Sequence, residues 1–121
     1  MSFHFKELTV WQKSMDFAQR VIEIAESNTS DRKHFRLMEQ LESSSASVAM
    51  NIAEGRGRKS NKEYVQFLHI SRGSLYETIT LLNLFERMGW ITHKHLLELE
   101  GMGLEIGKML NGLITSIRNR N

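Results

Sequence analysis

The sequence predicts an all-α fold, an up-down-up-down antiparallel four-helix bundle, and three observations carry that prediction. Proline is absent from all 121 residues, so no ring removes a backbone donor inside a helix. The chain is rich in Leu, Ile, Met, Glu, Lys and Arg, which lose little entropy on becoming helical. Apolar residues recur at helical spacing in four long stretches separated by short polar breaks, and long helices joined by short connections fold back on one another.

The first helix is expected over about 9–27. Thr9-Val10-Trp11-Gln12 has the form of a capping box, with the Thr9 hydroxyl and the Gln12 amide placed to satisfy free N–H groups. Ser27-Asn28-Thr29-Ser30-Asp31 is a polar break that supplies the next cap. Helix 2 is then expected over about 31–55, with Leu37, Leu41, Val48 and Ile52 in register and Gly55 at its end. Ser60-Asn61-Lys62-Glu63 is a second capping box. It opens helix 3, expected over about 61–88, where Tyr64, Leu68, Leu75, Leu82 and Phe85 lead to Gly89 as a natural terminator. Thr92 caps helix 4, expected over about 92–118, with Ile91 and Leu96 forming a hydrophobic staple. Gly101, Gly103, Gly107 and Gly112 weaken this last helix by about 1 kcal/mol each relative to alanine. Either helix 4 kinks there or another backbone packs close to it.

A chain of this length makes one domain, 1–121, able to remove roughly two-thirds of its unfolded surface from water. Cysteine is absent, which excludes disulfides and thiolate chemistry and fits a reducing compartment. No basic segment leads into an apolar run at the N-terminus, and no run reaches the roughly 18 residues needed to span a bilayer. A cytoplasmic protein without a membrane partner is expected.

Helices 1 and 4 carry more apolar surface than one bundle face needs. Leu96, Leu97, Leu99, Met102, Leu104, Ile106, Met109, Leu110, Leu113, Ile114 and Ile117 cover well over half of the helix 4 circumference at about 100° per residue. Val10, Trp11, Met15, Phe17, Val21, Ile22 and Ile24 cover about half of helix 1. Self-association into a homo-oligomer is the expected second cover. A monomer with scattered exposed apolar residues is the plainer alternative.

Net charge is only +2, yet the sequence pI is about 9.1, so the placement of the cations decides their meaning. The loop Gly55-Arg56-Gly57-Arg58-Lys59-Ser60-Asn61 is the most basic stretch. Up-down order brings it to the end of the bundle that holds both termini, where Lys62, Lys6, Arg118 and Arg120 join Arg56, Arg58 and Lys59. The loop also precedes a helix N-terminus, whose free N–H groups and dipole favour phosphate. A nucleic-acid interface, RNA or DNA, built from Arg56, Arg58, Lys59, Lys62, Arg118 and Arg120 is therefore physically reasonable. The alternative is a solvated loop kept basic for solubility.

Other chemistry finds little support. Gly57-Arg58-Lys59-Ser60 lacks the Gly-Lys pair of a nucleotide-phosphate loop and follows a helix rather than a strand. His4, His34, His69, His93 and His95 form no spaced ligand set, so neither a metal nor another cofactor is expected. Asn51, Glu54, Arg72 and Ser74 fall near inward positions of helices 2 and 3. A buried polar network among them, serving fold specificity, is expected.

The residues Leu8-Thr9-Val10-Trp11-Gln12-Lys13, Asn51 to Arg58, Arg72-Gly73-Ser74-Leu75-Tyr76-Glu77 and Lys108 to Ile114 resemble, in order and spacing, the bacterial four-helix bundle family encoded in intervening sequences of large-subunit ribosomal RNA genes. The resemblance runs from about Phe5 to Ile117. The name "S23 ribosomal protein" attached to such sequences does not by itself imply a ribosomal component. One departure is Val48-Ala49-Met50-Asn51, where the family pattern places proline, and it predicts a straighter helix 2. The family in turn resembles the accessory protein of diversity-generating retroelements, a basic pentameric barrel that binds nucleic acid. The resemblance thus implies a non-enzymatic homopentamer that binds RNA or DNA, with its basic positions on Arg56, Arg58 and Lys59. Two alternatives remain beside it: a protein-binding adaptor using the apolar helix faces, and an RNase resembling the helical HEPN group through Arg87 and His93.

Overall fold

The structure, a computed structural model, describes residues 2–28 and 34–120. A 3-10 turn at His4–Glu7 leads into four helices, α1 Thr9–Asn28, α2 Phe35–Arg56, α3 Asn61–Arg87 and α4 His93–Arg118. There is no strand among the described residues. The fold is therefore all-α, and each helix lies within a few residues of its expected span.

Three of the helix junctions are built by the local chemistry the sequence advertises. The Ser60 hydroxyl accepts the Glu63 N–H at 3.1 Å and donates back to the Glu63 carboxylate at 3.2 Å. Thr92 accepts the His95 N–H at 3.1 Å, with Ile91 and Leu96 both buried beside it. At the end of α3, Gly89 takes φ 77°, the one left-handed residue among those described. Trp90 N–H then reaches the Phe85 carbonyl at 2.9 Å and Gly89 N–H that of Glu86 at 3.0 Å. This double closure is a Schellman motif, and Trp90 completes it by packing edge-on against Phe85 at 5.0 Å between ring centroids.

Two junctions differ from expectation. The Gln12 amide donates to the Lys6 carbonyl at 2.8 Å, and the Leu8 carbonyl accepts the Trp11 and Gln12 N–H groups at 3.1 Å. The 3-10 turn places a backbone acceptor within reach of Gln12, so this side chain ties the turn to α1 instead of closing a box on Thr9. Gly55 does not end α2. The helix runs on to Arg56 and closes at Gly57 with an ordinary right-handed φ of −83°. Gly55 is needed for a different reason: a Cβ there would lie 2.8 Å from Phe67 Cβ and 3.2 Å from the Tyr64 carbonyl oxygen. The predicted cap of helix 2 at Thr29-Ser30-Asp31 lies outside the described residues. The described helix begins at Phe35, and His34 before it makes no side-chain cap bond.

The helices pack in a ring, α1 against α2, α2 against α3, α3 against α4 and α4 against α1. Lys13 pairs with Glu105 at 2.9 Å and Arg20 with Glu98 at 2.6 Å, so numbers rise along α1 as they fall along α4. The Ser71 hydroxyl meets the Val48 carbonyl at 2.7 Å and Thr78 meets Ser44 at 2.9 Å, which gives α2 and α3 the same opposed sense. Arg72 with Asn111 at 2.6 Å and Asn83 with Glu100 at 3.0 Å do so for α3 and α4. Phe17, Ile24, Leu41, Ile52, Leu68, Leu82, Phe85, Leu99 and Leu110 are almost fully withdrawn from solvent in the shared core.

Helix α4 passes its glycines without a break. A Cβ on Gly103 would sit 3.0 Å from Ile79 Cδ1 and one on Gly107 3.7 Å from Leu75 Cδ2, whereas Gly101 and Gly112 meet nothing within 4 Å. The close approach is made by α3 side chains rather than by a backbone. Leu97 and Leu104 on α4 stay exposed, together with Ile70, Tyr76 and Leu84 on α3 and Met88 just past its end. Helix α1 leaves only Met15 clearly outside, and α2 exposes Phe35 and Met50, so the uncovered apolar surface lies on α2, α3 and α4 rather than on α1 and α4. No helix among the described residues is long and apolar enough to cross a membrane.

Candidate nucleic-acid interface

Three helix ends assemble the basic edge. Arg56 closes α2, Lys62 lies in the first turn of α3, Arg118 is the last residue of α4 and Arg120 follows it. All four, with Arg58 and Lys59 on the intervening loop, are exposed. Convergence across the chain is visible at Tyr64. Burial pushes its phenol above the usual range, and the nearby Arg56 and Arg120 guanidiniums pull it back. Lys62 and Arg118 line one groove between α3 and α4.

The six cations are not equivalent. Arg58 donates to Glu54 at 2.8 Å and lies over the Phe67 ring at 4.6 Å, so its charge is partly neutralised and its position braced. Arg56, Lys59, Lys62, Arg118 and Arg120 form no ion pair with a described carboxylate. They retain full charge for a ligand. Ser60 caps the start of α3 beside them, and the helix dipole adds to the positive field.

The predicted polar network divides. Asn51 donates to the Ser47 carbonyl and hydroxyl, both at 2.8 Å, and Ser47 meets Ser74 at 3.0 Å. Asn51 and Ser74 are thus joined through a residue the sequence reading did not single out. Thr78 continues the seam to Ser44 and to the Ser74 carbonyl. Glu54 and Arg72 stand outside it. Both are long side chains that reach past the seam, Glu54 to Arg58 and Arg72 to Asn111 and His69. The seam therefore consists of small hydroxyl and amide groups without a buried charge, which avoids the desolvation cost of ionised groups. The run Ser43-Ser44-Ser45-Ala46-Ser47 carried the signal: a helix with so many small residues invites close approach.

His69 was likewise missed as a site residue. It sits between Arg72 at 3.1 Å and Arg118 at 3.1 Å, and burial together with these two cations holds its pKa below the ordinary value of 6.5. Also between α3 and α4, a second cavity of about 550 Å³ is bordered by Tyr76, Gly103, Leu104, Lys108 and Asn111. At the far end of the bundle His93 Nδ1 lies 3.3 Å from Glu86, so its side-chain partner there is a carboxylate. Among the described residues no group of three or more His, Asp or Glu side chains could hold a metal ion.

Comparison with known proteins follows the same outline. The model of the 23S rRNA-intervening sequence protein family matches residues 6–112. The chain is also similar to the crystal structure of a protein of unknown function from the S23 ribosomal protein family of Bacteroides thetaiotaomicron. The two are 27% identical, the alignment covers 88% of this chain and 98% of that one, and the TM-score is 0.81. No curated protein matches.

Proposed function

The chain belongs to the 23S rRNA-intervening sequence protein family, and from that membership together with the basic edge we propose that it is a non-enzymatic, self-associating bundle that binds RNA or DNA phosphates. The observation that carries the reading is the set of five exposed cations, from three helix ends and one loop, that no described carboxylate neutralises. Each such cation that meets a phosphate releases a counterion, so binding weakens steeply with salt. Replacing Arg56, Lys59 and Arg120 together by alanine lowers affinity for a single-stranded oligonucleotide and reduces the salt slope by up to about two. Wild-type affinity and slope in that variant would remove the edge from the function.

Self-association rests on the apolar side chains left exposed on α3 and α4, Tyr76 and Leu104 above all. Five copies is the number the family resemblance implies, and a ring would repeat the basic edge around one axis. The same apolar surface favours a second reading, a protein adaptor. Capture of a partner that survives nuclease and high salt would support the adaptor over the nucleic-acid reading.

A further inference from the structure

Two guanidiniums converge on one imidazole in the groove between α3 and α4. Arg72 Nη2 lies 3.1 Å from His69 Nδ1, and Arg118 Nη2 lies 3.1 Å from His69 Nε2. A neutral imidazole offers one acceptor nitrogen and one N–H. Only one arginine can therefore donate into the ring, and the other faces a ring N–H, donor against donor. Arg72 has one further acceptor, the neutral Asn111 Oδ1 at 2.6 Å. No described carboxylate pairs with either guanidinium.

The cluster thus holds two full positive charges and more donors than acceptors. On the Arg118 side of the ring it opens on a cavity of about 420 Å³ where Lys62, Gln66, His69 and Arg118 meet, with Arg72 reaching the ring from outside that lining. The charged groups facing His69 are Arg72 from its own helix and Arg118 from α4, with Lys62 across the cavity, and no described acidic side chain lines that space. A phosphate supplies what is lacking: several acceptor oxygens, negative charge, and a shape that guanidinium forks match in pairs.

We propose that His69, Arg72 and Arg118, with Lys62 at the rim, form a seat for a single phosphate group, and that His69 takes up a proton from solvent when the seat is filled. Filling turns the guanidiniums from the ring to the anion, which frees both ring nitrogens to carry protons. The anion also offsets the charge that otherwise opposes a cationic imidazole. The seat deepens the nucleic-acid reading and rests on it for the identity of the ligand as a backbone phosphate. A phosphomonoester or free phosphate shares the chemistry.

The test is an NMR titration of the His69 ring from about pH 5 to 8, the range in which imidazoles change charge. It uses the full chain alone, with inorganic phosphate, and with a single-stranded oligonucleotide lacking terminal phosphate. The apparent His69 pKa rises with ligand. Oligonucleotide affinity strengthens on acidification by up to about tenfold per pH unit between the free and bound values. His69→Gln removes that pH dependence. Arg72→Gln with Arg118→Gln abolishes the rise, and because Arg72 is half-buried, Arg72→Lys with Arg118→Lys serves as a second, milder pair that weakens it.

A rise with oligonucleotide assigns the seat to backbone phosphate. A rise with inorganic phosphate alone upholds the seat as a phosphomonoester site and removes it from the nucleic-acid reading. No rise with either ligand, or a rise undiminished in the double glutamine variant, overturns the seat. Oligonucleotide binding with a full salt slope but a silent His69 would leave the basic edge standing without it.

Discussion

Gly55 and Gly112 are the same residue in opposite surroundings. Alanine at position 55 would drive its Cβ to 2.8 Å from Phe67 Cβ and 3.1 Å from the Tyr64 ring, while at position 112 it would meet nothing within 4 Å. Gly55→Ala is therefore expected to destabilise by about 1–3 kcal/mol through overpacking. Gly112→Ala is expected to stabilise by up to about 1 kcal/mol by improving helix propensity. Urea unfolding of the two variants checks the pair, and equal effects of the same sign would contradict the packing argument. Arg58 shows a related contrast. In the sequence it is one more cation of the loop, but Glu54 and Phe67 lie one helical turn away and on the neighbouring helix, and they hold it.

At the scale of elements, stability rests on the junctions as much as on the helices. Ser60 and Glu63 bind reciprocally at the start of α3, and Ser60→Ala is expected to cost about 1 kcal/mol. Gly89 holds a left-handed φ with open space around it, so Gly89→Ala strains only the backbone, by about 1–2 kcal/mol. A shift of the thermal midpoint in each variant, with helical content retained, is the expected measurement. These motifs are legible because each involves residues within a few positions of one another. The Thr9 box was misread for the complementary reason: the acceptor that draws Gln12 away is Lys6, outside the four-residue pattern and brought close only by the 3-10 turn.

For the whole molecule, the α3–α4 side carries two kinds of surface. Cations gather at one end, and the exposed Tyr76 and Leu104 flank the cavity farther along. Ile70, Tyr76 and Leu84 fall within about 120° of one another on α3 at 100° per residue, a face the bundle itself does not use, and the exposed Met88 follows at its end. If the proposed self-association uses this face, Tyr76→Glu with Leu104→Glu is expected to leave only monomers in light scattering while leaving the thermal midpoint of the fold nearly unchanged, because neither side chain is in the core. Assembly undiminished in that double variant would place the interface elsewhere.

The sequence alone determined the number, span and class of the elements, most of the helix ends, and the composition of the basic edge, since periodicity, caps and charge runs are local properties of a chain. It also implied an excess of apolar surface. Which surface stays uncovered was decided by packing, because α3 and α4 turn Tyr76 and Leu104 outward while most of α1 is absorbed by the core. The polar network was half legible: Asn51 and Ser74 were named, but Ser47, which joins them, became visible only when α2 and α3 lay side by side. His69 between Arg72 and Arg118 was beyond reach for the same reason. The His69–Arg72 spacing of one helical turn is in the sequence, yet the contact with Arg118 spans 49 residues, and only antiparallel packing of α3 against α4 sets its register.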